Sequence, residues 1–183
     1  MRMHVKAKTM AFGGLLLALT VICMALGSVI ETNTLFLLAA ASYFTGIVIR
    51  EFGLKTGLAF YLAAVILGVI LAPNKFYVIT FAAMGFYILG REAVWYWMSR
   101  HPEWTQRQKV LLAAKFGLFN LVYLPIVFLF QELLFAKALE GIMILAVIVA
   151  GQILFLIYDR AYDYVQRELW GKLRGKFDFL LFL

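Results

Sequence analysis

AKTMAFGGLLLALTVICMALGSVI, residues 7–30, carries no charged residue between Lys8 and Glu31. A helix rises about 1.5 Å per residue, and roughly 20 apolar residues cross the hydrocarbon of a bilayer. The stretch therefore reads as a membrane-spanning helix. Its small residues are placed with regularity: Ala7, Ala11, Gly14 and Ala18 recur at steps of four, three and four. That spacing puts them on one helical face, which continues through Val21 to Ala25 and Ser28. Such a bare stripe stands out in a chain with 17 Phe, 9 Tyr and 4 Trp among 183 residues.

The rest of the chain repeats the pattern of the first run. Hydrophobic residues make up 64% and charged residues only 15%, against the 45–50% and 25% usual in soluble domains. Six spans are expected, at about 10–30, 34–49, 54–72, 76–98, 109–136 and 139–158. The second is short for a full crossing. Between the runs lie the punctuating segments IETNT, REFGLK, APNK, HPEWTQRQK and AKALEG. Thr105 and Gln108 form a capping-box pattern that predicts a start of the fifth helix near Gln106. The expected fold is all-α: an integral membrane protein with six transmembrane helices in one compact bundle, residues 1–183. Residues 159–183 are expected to form a cytoplasmic amphipathic and basic tail.

Charge gives an orientation. Fifteen of the 17 Lys and Arg residues fall on the side of the N-terminus in this scheme, and only Lys75 and Lys137 fall opposite. The positive-inside rule then places both termini in the cytoplasm, with the protein multi-pass in the cell membrane. The same sorting assigns the net charge of +7 to the membrane surface rather than to nucleic acid. A signal peptide cleaved after residues 25–27 is the rival reading of the N-terminus. The run is long for a signal core and continues through Ile30, which favours a retained span.

Catalytic motifs are missing from the sequence. There is no HExxH, CxxC, nucleophile elbow or Walker A pattern, and GKLRGK at 171–176 lacks both the spacing and the hydroxyl of the last. His4 and His101 are the only histidines, too few for a His-rich metal site. The lone Cys23 lies within an apolar run and reads as a small core residue. No enzyme activity, metal or cofactor is expected, and ATP-driven transport would need other subunits.

Polar residues cluster at the end opposite the termini. Glu31 and Asn33 lie in the first connection, Asn74 and Lys75 in the second, and Gln131 and Glu132 at the end of the fifth helix. With Asn120 and Tyr123 they form the candidate substrate-binding set, because polar groups near hydrocarbon face a partner or a wet cavity. Pro125 should bend the fifth helix. The competing reading leaves the loop charges solvated and pairs Asn120 with a neighbouring helix.

At the other end, Thr80, Met84, Tyr87 and Arg91 share a face of the fourth helix. Arg91 lies about 24 Å from Lys75, a depth from which it is expected to snorkel to the headgroups. AVWYW, residues 93–97, reads as an aromatic belt at the same level. In the C-terminal stretch, Tyr158, Tyr162, Val165 and Leu169 follow helical spacing, and Asp163 and Arg167 stand at i,i+4 for an ion pair. Lys172, Arg174 and Lys176 then precede Phe177, Phe179 and Phe182, as expected of a segment lying on an anionic leaflet.

Six short spans, cytoplasmic termini, no ATP-binding motif and Ala7-x-x-x-Ala11 on the first helix resemble the substrate-binding S components of energy-coupling factor transporters. The resemblance implies uptake of a small micronutrient, a vitamin or metal-related compound, bound near the outer face. It also implies a transmembrane coupling protein and a pair of cytoplasmic ATPases as partners. Ala7, Ala11, Gly14 and Ala18 would be the docking contacts. The layout is also similar to the rod-shape membrane scaffold of cell-wall synthesis, which implies an interaction protein without transport.

Overall fold

The computed structural model describes residues 2–101, 107–129, 141–172 and 174. Thr105, Gln131, Glu132 and the phenylalanines beyond residue 176 lie outside them. Apolar runs become helices because each backbone polar group is satisfied within its own segment. They are α1 (Arg2–Val29), α2 (Thr34–Phe52), α3 (Leu54–Leu71), α4 (Lys75–Ser99), α5 (Arg107–Leu129) and α6 (Gly141–Tyr164). A 3₁₀ turn, Glu31–Asn33, joins α1 to α2, and a π-helical segment, Val165–Trp170, continues α6. Among the described residues there are six helices long and apolar enough to cross a membrane, the makeup of a multi-pass membrane protein.

The connections derive from local chemistry. Gly53 alone separates α2 from α3, at φ 88°, a left-handed conformation that glycine adopts without a Cβ penalty. Pro73 holds Ala72 extended and ends α3. Asn74 then caps α4, its side-chain oxygen accepting the Phe76 N–H at 3.0 Å. Lys75 closes the other side of this turn by donating to the carbonyls of Val69 and Ala72 at the end of α3.

α2 is the central post, packed against α1, α3 and α4 and touched by the π segment. From Ala41 to Ile49 every residue but Phe44 is buried. The expected span 34–49 extends to Phe52 because its charged end has partners inside the protein. Arg50 pairs with Glu92, and Glu51 receives the Trp170 indole N–H at 2.9 Å. One core cluster joins Met24, Leu38, Ala41, Ala64 and Phe81 of four helices. A second, of Tyr43, Tyr87, Ile88, Phe155 and Tyr162, seats α6 against α2 and α4.

α1 buries Leu16, Thr20, Met24 and Gly27 and turns its other side outward. Ala11, Gly14 and Ala18 all lie on the outward side, exposed. A Cβ built on Gly14 would meet nothing within 4 Å. Ala7 lies on α1, with its side chain outside the described set. The small-residue stripe is therefore not filled by the described parts of the bundle.

The sixth span does not stop at residue 158. α6 runs on to Tyr164, and Tyr162, Gln166 and Trp170 are buried. Trp170 packs on Phe12 of α1, ring centroids 5.5 Å apart, so the first part of the expected tail belongs to the bundle. Leu169, expected on the same face as Tyr162, is exposed. The cause is the π segment, whose i→i+5 bonding adds a residue to the turn and rotates the later side chains about the helix axis.

Candidate functional site

The largest concentration of buried charge lies at the end of the bundle where α1 and α2 meet the π segment, called here the basic end. α6 contributes Asp159, Tyr162 and Asp163, whose i, i+3, i+4 spacing sets them on one face. α4 brings Arg91 and Glu92, α2 brings Arg50 one heptad beyond Tyr43, and α5 brings Lys115. Arg91 is 6% exposed and Glu92 3%.

The groups form two linked ion-pair systems. Arg50 grips Glu92 with two bonds, Nη2–Oε1 at 2.7 Å and Nε–Oε2 at 3.1 Å, the fork geometry that makes Arg–carboxylate pairs strong. Arg91 donates to Asp159 at 2.6 Å and also binds Asp163. Lys115 lies 2.7 Å from Asp159 and 3.8 Å from Asp163. The Tyr87 hydroxyl donates to Asp159 at 2.6 Å. Tyr162 joins the systems. Its hydroxyl donates to Glu92 at 2.8 Å, and its ring has the Arg91 guanidinium 4.6 Å and the Arg50 guanidinium 5.4 Å from its centroid. Cation–π contacts of this kind strengthen when water is excluded.

Gly46 makes this arrangement possible. A Cβ there would lie 2.1 Å from the Tyr162 hydroxyl oxygen. A second polar layer lies beside it: the Tyr43 hydroxyl donates to the Tyr158 carbonyl at 2.9 Å, and Tyr158 meets Ser42 at 2.7 Å.

The snorkelling expected of Arg91 is overturned by this geometry. Its face of α4 is the one that packs on α6, so the guanidinium points at two aspartates instead of at headgroups. Asp163 likewise pairs with Arg91 and Lys115 across the bundle rather than with Arg167 along the helix.

A cavity of about 640 Å³ opens beside the network, within the usual size range of ligand pockets. Its wall holds four cations, Arg50, Arg91, Lys115 and Arg167, and two carboxylates, Glu92 and Asp163; Ile49, Leu54, Trp95, Tyr96 and Leu111 supply apolar surface. A smaller cavity of about 180 Å³, lined by Trp95, Met98, Ser99, Gln108 and Leu111, shares two residues with it.

The residues singled out at the opposite end are not gathered into one site. Asn33 is exposed, and Glu31 lies in the 3₁₀ turn with its side chain outside the described set. Asn74 and Lys75 are engaged at the α3–α4 turn. Asn120 accepts from Gln152 at 2.8 Å, and the Tyr123 hydroxyl donates to the Val147 carbonyl at 2.7 Å, both joining α5 to α6. Gln131 and Glu132 fall outside the described residues. Among the described residues no group of three or more His, Cys, Asp or Glu is placed to hold a metal ion.

No protein-family profile matches the chain, and no curated protein or solved structure matches it.

Proposed function

We propose that the chain is a membrane-embedded substrate-binding subunit of an uptake system for a small micronutrient, served by a separate coupling protein and ATPases. Both termini face the cytoplasm in this reading, and the host membrane is the plasma membrane. The observation that carries it is the bare stripe of α1. Ala11 and Ala18 are exposed, and nothing described comes within 4 Å of a Cβ on Gly14. In a bilayer, small residues admit close approach of a second helix, and a binder without its own motor needs such a contact.

The test is purification of the full chain from its host in mild detergent, followed by identification of bound small molecules and companion subunits. ATPase and coupling subunits are expected to accompany the wild-type protein. Ala11→Leu should reduce their recovery about tenfold or more, the effect of overpacking a close helix contact, with unchanged thermal unfolding of the isolated chain. Undiminished companions in the variant, or loss of its own fold, would remove the docking role.

A second reading is a membrane scaffold of cell-wall synthesis. It is favoured by the engagement of Asn74, Lys75, Asn120 and Tyr123 within the bundle. Recovery of cell-wall membrane proteins in place of ATPases would select it.

A further inference from the structure

We propose that the cavity at the basic end binds the phosphate headgroup of an anionic membrane lipid. Charge is the first argument. Four cations and two carboxylates line the cavity, and both carboxylates are already neutralised from within, Glu92 by Arg50 and Asp163 by Arg91 and Lys115. Arg167 stands in the wall with no ion-pair partner among the described residues. Arg50, half of whose fork is spent on Glu92, keeps its Nη1 donors. The open valence of the site is thus cationic, with guanidinium donors suited to a phosphate oxyanion.

Shape selects a lipid over a free phosphate. The smaller cavity continues the charged one through Trp95 and Leu111 and adds Met98. Trp95 is 56% exposed, so this apolar side is continuous with the outer surface of the bundle. A charged chamber beside an apolar one that meets the bilayer matches an amphiphile: the phosphate among the arginines, the first carbons of its chains along Trp95 and Leu111. By the charge rule this end faces the cytoplasmic leaflet, where anionic lipids concentrate. The inference is independent of the uptake reading, since it concerns neither α1 nor companion subunits.

Native mass spectrometry of the full-length chain in detergent tests it, with phosphatidylglycerol and phosphatidylcholine of identical chains as probes. Phosphatidylglycerol should be retained about tenfold better, one extra favourable charge contact being worth about 1 kcal/mol or more. Arg167→Gln, at an exposed position, should lower that retention about fivefold without moving the unfolding midpoint. Lys109→Gln, an exposed cation outside the cavity, should leave it unchanged. Equal retention of both lipids, or equal losses in the two variants, overturns the site in favour of general surface electrostatics. Glycerol phosphate supplied without lipid separates the sources. Weak binding that competes with the lipid supports the proposal, whereas binding as tight as the lipid's assigns the cavity to a soluble phosphate ester and overturns it.

Discussion

Arg91→Leu is expected to destabilise the bundle by about 3–5 kcal/mol, the range for removing one partner of a buried ion pair. The substitution leaves Asp159 and Asp163 with Lys115 alone. Lys115 is 2.7 Å from the first and 3.8 Å from the second, so it cannot hold both closely. Tyr162 loses its nearer guanidinium in the same step. Unfolding of the detergent-solubilised chain, followed by heat or by titration with SDS, measures the loss. The double variant Arg91→Leu/Asp163→Asn should recover part of it, because Lys115 and Asp159 then balance. A single variant within about 1 kcal/mol of wild type would return Arg91 to the headgroups, since exposed pairs contribute no more than that.

The second large effect concerns packing. Gly46→Ala adds one methyl group where the Tyr162 ring and hydroxyl already lie between 2.1 and 2.7 Å away. Tyr162 is wholly buried, and moving it would break its bond to Glu92 and shift both cation contacts. Overpacking of this kind costs about 2–3 kcal/mol, and here it should also disturb the charge network that the tyrosine joins. Gly14→Ala is the internal comparison. With nothing within 4 Å, it should change the unfolding midpoint little and upward, by up to about 1 kcal/mol from helix propensity. Equal behaviour of the two glycines in the same unfolding assay would refute the close approach of α2 and α6.

These two positions also show where the sequence is readable. Span locations are legible because apolar length is a local property, and α1, α3 and α4 lie within a few residues of expectation. The one-sided small residues of α1 are legible as a face for the same reason, though what that face meets is not a local matter. The charge network is not legible. Its bonds join residues 42, 44 and 68 positions apart, and they form only when four helices take particular rotations about their axes. Local reasoning therefore assigns Arg91 to solvent and Asp163 to Arg167. The second assignment fails for a physical reason, because the π segment starts at Val165 and breaks the i,i+4 register between them. A clue is present: Asp159 and Asp163 share one face within a span whose other face is apolar, and aspartates so placed require cations from neighbouring helices. At the opposite end, Asn74 carries a second signal that the sequence offers openly, an N-cap residue directly before a helix.

The placement of the two aspartates has a consequence for how the protein is made. Arg91 and Lys115 belong to the fourth and fifth helices, and both their carboxylate partners arrive with the sixth. During synthesis the earlier helices enter the bilayer first, each carrying a cation whose counter-charge has not yet been translated. A lone Arg or Lys at mid-membrane costs about 2.5–3.5 kcal/mol on insertion scales, so those helices cannot settle at their final depth and tilt until the last one is delivered. The sixth helix is thus the latch of assembly. A chain truncated ahead of Asp159 retains five apolar segments and loses the means to lock them, which makes completeness of the product something quality control in the membrane can sense through exposed charge.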